Sequence, residues 1–263
     1  MDSHGKTSIC LYGVYPLRID GEPCHLGISG ATLRLFQYLL LASGKEIRRE
    51  LLAEIFWSRS SADRQRSALN SAIWRIKRQL NEINGIDLIS NGPTAFLQVA
   101  PDVSNDAKEL SDIVHGISVN ETLDDNNVER LCSALNKCHA PFMEGVASDW
   151  VLTEREKMFN IKIRGMTMLM HWRGEQRRYE DALEVGRRLL AEDPFREAAQ
   201  CEVMWLYVLN GQRAQALRKY KESRALLRDE LDIDPMPETL ALYNHIRRDL
   251  NCAGRTVKRE QSG

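Results

Sequence analysis

The 263-residue chain has no long apolar run, no paired-cysteine motif, no phosphate-binding glycine loop and almost no net charge. Each absence removes a class of protein. The longest apolar stretch, Tyr38 to Ala42, falls far short of the ~20 residues that cross a bilayer. No charged-then-apolar signal segment opens the chain. A cytoplasmic location with no membrane partner is the expectation. Cys10, Cys24, Cys132, Cys138, Cys201 and Cys252 contain no Cys-x-x-Cys pair and read as reduced, mostly packed thiols. Cys132, Cys138 and His139 are the one metal-like grouping, and they lack the second half-site that zinc requires. A G-x-x-x-x-G-K-[ST] loop is missing. Gly27-Ile28-Ser29-Gly30 breaks the G-x-S-x-G pattern of a nucleophile elbow, which leaves Ser29 as a helix N-cap. His115, His139, His171 and His245 have no nucleophile and acid at a recognisable spacing. The expectation is therefore a non-enzyme with no catalytic residue, cofactor or metal.

The net charge of −1 hides a division. Residues 1–100 carry 12 Lys/Arg against 9 Asp/Glu, and residues 101–263 carry 24 against 28. Between Arg59 and Glu82 six basic residues meet two acidic ones. Salt screens distant charge, so this local excess governs contact with a polyanion more than the total does. The length and the 43% hydrophobic content allow two modest cores.

The basic excess lies on one helix. In RQRSALNSAIWRIKRQL (residues 64–80), Leu69, Ile73, Ile76 and Leu80 recur at i, i+4, i+7 and i+11, the spacing of one apolar helical face. The opposite face gathers Arg64, Ser67, Ser71, Trp74, Arg75 and Arg78, with Arg66 and Lys77 at its flanks. Such a face suits a helix lying in the DNA major groove, where arginines reach guanine edges or phosphates and serines allow close approach. It also describes a solvated basic face. A shorter amphipathic helix is expected over residues 48–57, with Leu51, Leu52, Ile55 and Phe56 on one side. The loop SRSSAD then offers Ser60, Ser61 or Asp63 as an N-cap. A third helix over residues 32–42 precedes it, and strands are expected at residues 8–11 and 15–19. After the basic helix, strands at residues 86–90 and 95–99 flank the turn Asn91-Gly92-Pro93-Thr94, a hairpin placed as a wing, with Thr94 as a further candidate DNA contact.

This order resembles the winged-helix output domain of OmpR-type regulators, and IWRIKRQL (residues 73–80) is similar to that family's V-S-R-L-R-R-x-L run. LYGVYPLRIDGEPCHLG (residues 11–27) and ELLAEIFW (residues 50–57), taken with the basic helix, resemble the N-terminal half of the Streptomyces antibiotic regulatory proteins. Arg75 and Arg78 match basic positions of the motif, whereas Trp74 stands where a small polar residue is usual.

From residue 101 onward the sequence reads as helical, and it contains a repeat. Tyr179-Glu180-Asp181-Ala182-Leu183 returns 34 residues later as Arg213-Ala214-Gln215-Ala216-Leu217, the tetratricopeptide period. Ala182 and Ala216 are small enough for paired helices to approach closely. Asp193-Pro194 and Asp234-Pro235 close the repeats, 11 and 18 residues after their alanines, so the later helix is expected to be about two turns longer. Two repeats do not make a free-standing solenoid, and helices over residues 128–138 and 150–172 are expected to complete the core. Trp172, Trp205, Tyr207, Tyr220 and Tyr243 read as packing between these helices or as the lining of a ligand groove. The ordered segments APFM (residues 140–143), EDPFREAAQ (residues 192–200) and LRDELDIDPMPETLALYNHI (residues 227–246) resemble the bacterial transcriptional activator domain, with Ala140 and Asp232 standing where glycine is usual.

The expected organisation is an OmpR-type winged helix over residues 1–100, an all-α tetratricopeptide-like activator domain over 101–251, and a disordered tail over 252–263. The resemblance implies a transcriptional activator that binds direct repeats in double-stranded promoter DNA. It also implies a second protomer side by side on the DNA and contact with RNA polymerase, through its sigma factor and the C-terminal domain of its alpha chain. Larger relatives add an ATPase, for which no loop is present, and no receiver domain precedes the winged helix, so phosphorelay control is not expected. The alternative is a tetratricopeptide-type interaction scaffold whose winged helix does not bind DNA, an option kept open by Trp74 because large aromatics favour protein interfaces.

Overall fold

Short alternating segments at the N-terminus form a small sheet. In the computed structural model, which describes residues 5–117 and 123–248, β1 (Thr7–Ile9) pairs antiparallel with β2 (Leu17–Ile19), and β2 pairs with β3 (Glu22–Pro23). Ile9 and Leu17 face each other across the first pair, and both are buried. Three helices and a second sheet follow: α1 (Gly30–Leu41), β4 (Ile47–Arg48), α2 (Arg49–Trp57), α3 (Ala62–Leu80), β5 (Ile86–Ile89) and β6 (Thr94–Val99). The sheet order β4-β6-β5 makes the wing three-stranded, because the short strand before α2 adds to the expected hairpin.

Ser29 and Ser61 occupy the N-cap positions of α1 and α3, although neither side chain bonds a helix N–H. Helix α2 differs from expectation on one point. Leu52 and Ala53 are buried and Ile55 and Phe56 half-buried, but Leu51 is exposed, since it lies a full residue's rotation from the seam against α3.

Residues 101–113 are not purely helical. β7 (Ser104–Asn105) joins the first sheet parallel to β1, giving the order β3-β2-β1-β7, and only then does α4 (Asp106–Gly116) begin. The buried Asp106 carboxylate accepts backbone N–H bonds from Leu11 (2.8 Å), Tyr12 (3.0 Å) and Ala107 (2.7 Å). Burial pushes its pKa up, against the opposing pull of those three donors.

The first compact unit comprises Met1–Ile113 and also Ser133–Phe159, so it reaches beyond residue 100. The later segment is drawn in by specific pairings. Gly13 N–H donates to Pro141 O, Met143 N–H to Leu11 O and Glu144 N–H to Gly13 O, while the Tyr12 and Phe142 rings meet edge to face at 5.2 Å. Arg155 gathers the turn by donating to the carbonyls of Phe142, Met143 and Val146. Trp150 meets Tyr38 and Phe56 edge to face at 5.1 and 6.3 Å.

The second unit comprises Val114–Cys132 and Asn160–Gly263. The division falls within α5 (Asp125–Lys137) and α6 (Asp149–Glu175). Beyond them, α7 (Tyr179–Glu192), α8 (Glu197–Leu209), α9 (Arg213–Leu231) and α10 (Pro237–Arg248) pack each on the next. The repeated segments open α7 and α9, and Ala182 and Ala216 are fully buried. Gly186, one turn beyond Ala182, marks the closest approach, because a Cβ there would lie 2.5 Å from Val203 Cγ2. Helix α9 has 19 residues against 14 for α7, so it is longer by roughly 1.4 turns rather than two. Asp232 takes a left-handed conformation at φ 54° and ends α9 before Asp234-Pro235 is reached. It fills the glycine-like position directly. Ala140 is not among the positive-φ residues.

Four aromatic residues of this half, Trp205, Tyr207, Tyr220 and Tyr243, pack between helices. Met204, Val208, Ala216, Tyr220 and Ile246 form a buried cluster with Trp205, Tyr207 and Tyr243 against it, and Tyr220 stacks on Tyr243 with centroids 4.0 Å apart. Among the described residues no disulfide forms, and no helix is long and apolar enough to cross a membrane. The expected tail over 252–263, with Cys252, lies outside the described residues.

Candidate nucleic-acid interface

Helix α3 is held from three sides, by α1, α2 and β5. Leu69, Ala72, Ile73, Ile76 and Leu80 supply the buried face. Full burial of a Leu or Ile is worth about 1.5–3 kcal/mol, so this row fixes the helix rotation far more firmly than exposed polar contacts do. The rotation leaves Arg64, Arg66, Ser67, Ser71, Trp74, Arg75, Lys77 and Arg78 on the open side of the helix. Asp63, in the first turn, is the one acid within the helix, and its 3.9 Å approach to Arg66 joins two side chains that are 98% and 69% exposed. A pair so open to water holds little charge back. Ser71 Oγ donates to Ser67 O at 3.0 Å, which turns that hydroxyl into its own helix. Trp74 stands 60% exposed, and the Arg78 guanidinium lies 5.6 Å from its ring centroid.

Thr94 does not sit free at the wing tip. It is the first residue of β6, pairs with Arg48 of β4, and donates its hydroxyl to Glu46 at 3.1 Å. The turn before it is made by Gly92 at φ 65° and Pro93. The Thr94 hydroxyl therefore has an acid of its own unit as a partner, in a bond open to solvent.

The arginines at the start of α2 were not singled out from the sequence. Arg49 donates one guanidinium nitrogen to Ser90 at the end of β5 and another to Asn70 of α3, and its backbone N–H donates to Pro93 O at 2.8 Å. One side chain thus ties the wing to the basic helix. Arg48, Arg49, Arg66, Asn70, Gly92 and Pro93 line a cavity of about 300 Å³ at this junction. The doublet Arg48-Arg49 is the only sequence signal, and nothing in its spacing predicts a partner on α3.

Similarity to known proteins agrees with this geometry. Residues 120–247 match the bacterial transcriptional activator domain. The transcriptional regulatory protein MoaR1 of Mycobacterium bovis is 23% identical over 267 residues, covering 94% of this chain and 81% of its own length, and the same figures hold for MoaR1 of Mycobacterium tuberculosis. The regulatory protein AfsR of Streptomyces coelicolor is 23% identical over 229 residues, covering 86% of this chain but only 23% of AfsR. The fold matches that of Mycobacterium tuberculosis EmbR, solved in complex with a low affinity phosphopeptide, with a TM-score of 0.73 at 21% identity over 94% of this chain and 67% of the other. Fold and similarity together group the chain with transcriptional regulators that join a winged helix to a helical activator domain. Residues 120–247 carry the bacterial transcriptional activator domain, and the chain resembles regulators of the Streptomyces antibiotic regulatory protein type.

Proposed function

We propose that the chain is a sequence-specific activator that binds direct repeats in double-stranded promoter DNA through α3 and recruits RNA polymerase. The observation that carries this reading is the division of α3 into a buried apolar row and an exposed face whose cations, among the described residues, meet an acid only at the 3.9 Å Arg66–Asp63 approach. A helix so held presents its arginines outward at no further cost in ordering the backbone, which is what groove reading requires. Thr94, whose hydroxyl bonds Glu46 in an exposed pair, remains a further candidate contact from the wing. The activator domain supports the output role, with polymerase contact through the sigma factor and the C-terminal domain of the alpha chain, and with a second protomer beside the first on the DNA. This work belongs at the nucleoid in the bacterial cytoplasm.

The test is titration of the full chain against specific and scrambled duplexes over a range of salt. Counterion release predicts a steep loss of affinity as salt rises. Arg75→Ala and Arg78→Ala are each expected to cost about 1–3 kcal/mol and relax one position of the site where the arginine reads guanine, or to weaken all sequences alike where it holds phosphate. Unchanged affinity in both would remove α3 as the reading helix. The exposed Trp74 favours a second reading, a protein-interaction scaffold, and that reading predicts little binding to any duplex even at low salt.

A further inference from the structure

Ser67, Ser71, Trp74 and Arg78 fall within a sector of about 60° on α3, directly opposite the buried row, and so form its crest. The N-terminal part of that crest is low, since Ser71 folds its hydroxyl back onto Ser67 O. The indole of Trp74 then rises from it, 60% exposed, with the Arg78 guanidinium over its ring. A helix entering the major groove by this face turns the indole toward the groove floor, because the ring stands 60% exposed on the crest. The floor offers one apolar group, the thymine 5-methyl. A ring placed there without such a partner desolvates base edges and gives nothing in return.

We propose that Trp74 and Arg78 act as a single reading unit, in which the indole packs on a thymine methyl and the guanidinium, steadied by the ring, bonds the adjacent guanine. This assignment rests on the DNA-binding reading above and adds to it a specificity role for the residue that departs from the family motif. The cation over the ring face restricts the arginine before DNA arrives, so less side-chain freedom is lost on binding. The guanidinium keeps its outer edge for the O6 and N7 acceptors of guanine. The preferred site therefore contains adjacent T·A and G·C pairs at the position that α3 reads with its C-terminal half.

The experiment uses the full chain. Random-sequence duplexes are selected on wild type, Trp74→Ala and Arg78→Lys, and each thymine of the wild-type site is then replaced by deoxyuridine, which removes only the methyl. One thymine is expected at which deoxyuridine weakens wild-type binding about fourfold, the worth of a single buried carbon group. The same replacement should leave Trp74→Ala unaffected, and Arg78→Lys should lose selection of the neighbouring guanine. Tolerance of deoxyuridine at every thymine, or an unchanged selected site for Trp74→Ala, overturns the reading unit while DNA binding stands. A Trp74→Ala protein that keeps site and affinity but loses transcription assigns the indole to a protein partner and overturns it equally. Failure of wild type to enrich any duplex removes the DNA-binding reading itself, and this proposal falls with it.

Discussion

The two units close their structures over very different distances along the chain. In the first, Asp106 bonds Leu11 and Tyr12 across 95 and 94 residues, and Tyr12 reaches forward again to Phe142. In the second, the ties are those of neighbouring helices. Glu180 accepts from Asn210 and Gln212 across 30 and 32 residues, Arg213 donates to the carbonyls of Ile246 and Arg247 across 33 and 34, and Glu197 accepts from Met236 and Thr239 across 39 and 42. A repeat array gains stability from each adjacent interface, so losses stay local. The first unit depends on segments that meet only when the whole is folded, and its losses spread.

Cutting the chain tests that contrast most severely. A fragment of residues 1–100 lacks Asp106, Phe142, Trp150 and Arg155, and it is expected to lose cooperative folding. Circular dichroism and urea titration are the measurements. A fragment that melts cooperatively at the temperature of the intact first unit would show that the long-range ties are ornamental.

Asp106→Ala comes next in size. It leaves three buried N–H groups without an acceptor, partly offset by no longer burying a carboxylate, and should cost about 3 kcal/mol. Denaturation followed by a first-unit probe such as Trp150 fluorescence would record it, and a loss confined to the second unit would contradict the assignment of this residue.

Overpacking sharpens the other side. Ala182→Leu, at a fully buried crossing of α7, should cost about 1–3 kcal/mol and lower the melting of the second unit while sparing the first. Hydrogen exchange resolved by segment would separate the two. Equal destabilisation of both units would show that they do not melt as distinct bodies.

The smallest effect belongs to Asp234. The hydrogen bond and charge of Arg228 pull its pKa below the ordinary carboxylate range, with Arg228 raised in return. A depressed carboxylate contributes stability above its unfolded pKa, and that contribution is lost as pH falls through the folded value. Both groups are open to water, so Asp234→Ala should lower neutral-pH stability only slightly, flatten the acid limb of the melting curve by that same small amount, and converge with wild type in acid. An unaltered acid limb would mean that the pair contributes nothing.

Arg49 shows why part of the site was hidden. Its partners Ser90 and Asn70 lie 41 and 21 residues away, on different elements, and no periodic pattern connects them. Strand β4 was hidden for a related reason: two residues carry no alternation, and pairing with β6 alone makes them a strand. The boundary near residue 100 followed composition and a family resemblance, neither of which records that residues 133–159 pack back on the N-terminal sheet. Helix α3, by contrast, was legible nearly to its ends, since five buried positions at helical spacing leave one rotation possible.

The sequence by itself determined the elements whose signal is local and repeated. These are the apolar and basic faces of α3, the 34-residue return of α7 as α9, and the small residues Ala182 and Ala216 at their crossings. Side-chain period and helix geometry encode them within a few turns, so no distant contact is needed. Only the tertiary structure decided that Thr94 faces Glu46, that Arg49 braces the wing to α3, and that Asp106 and Phe142 complete the first unit. Those facts depend on which of many available polar and aromatic groups meet after the loops between them have closed, and burial against a common core makes that choice.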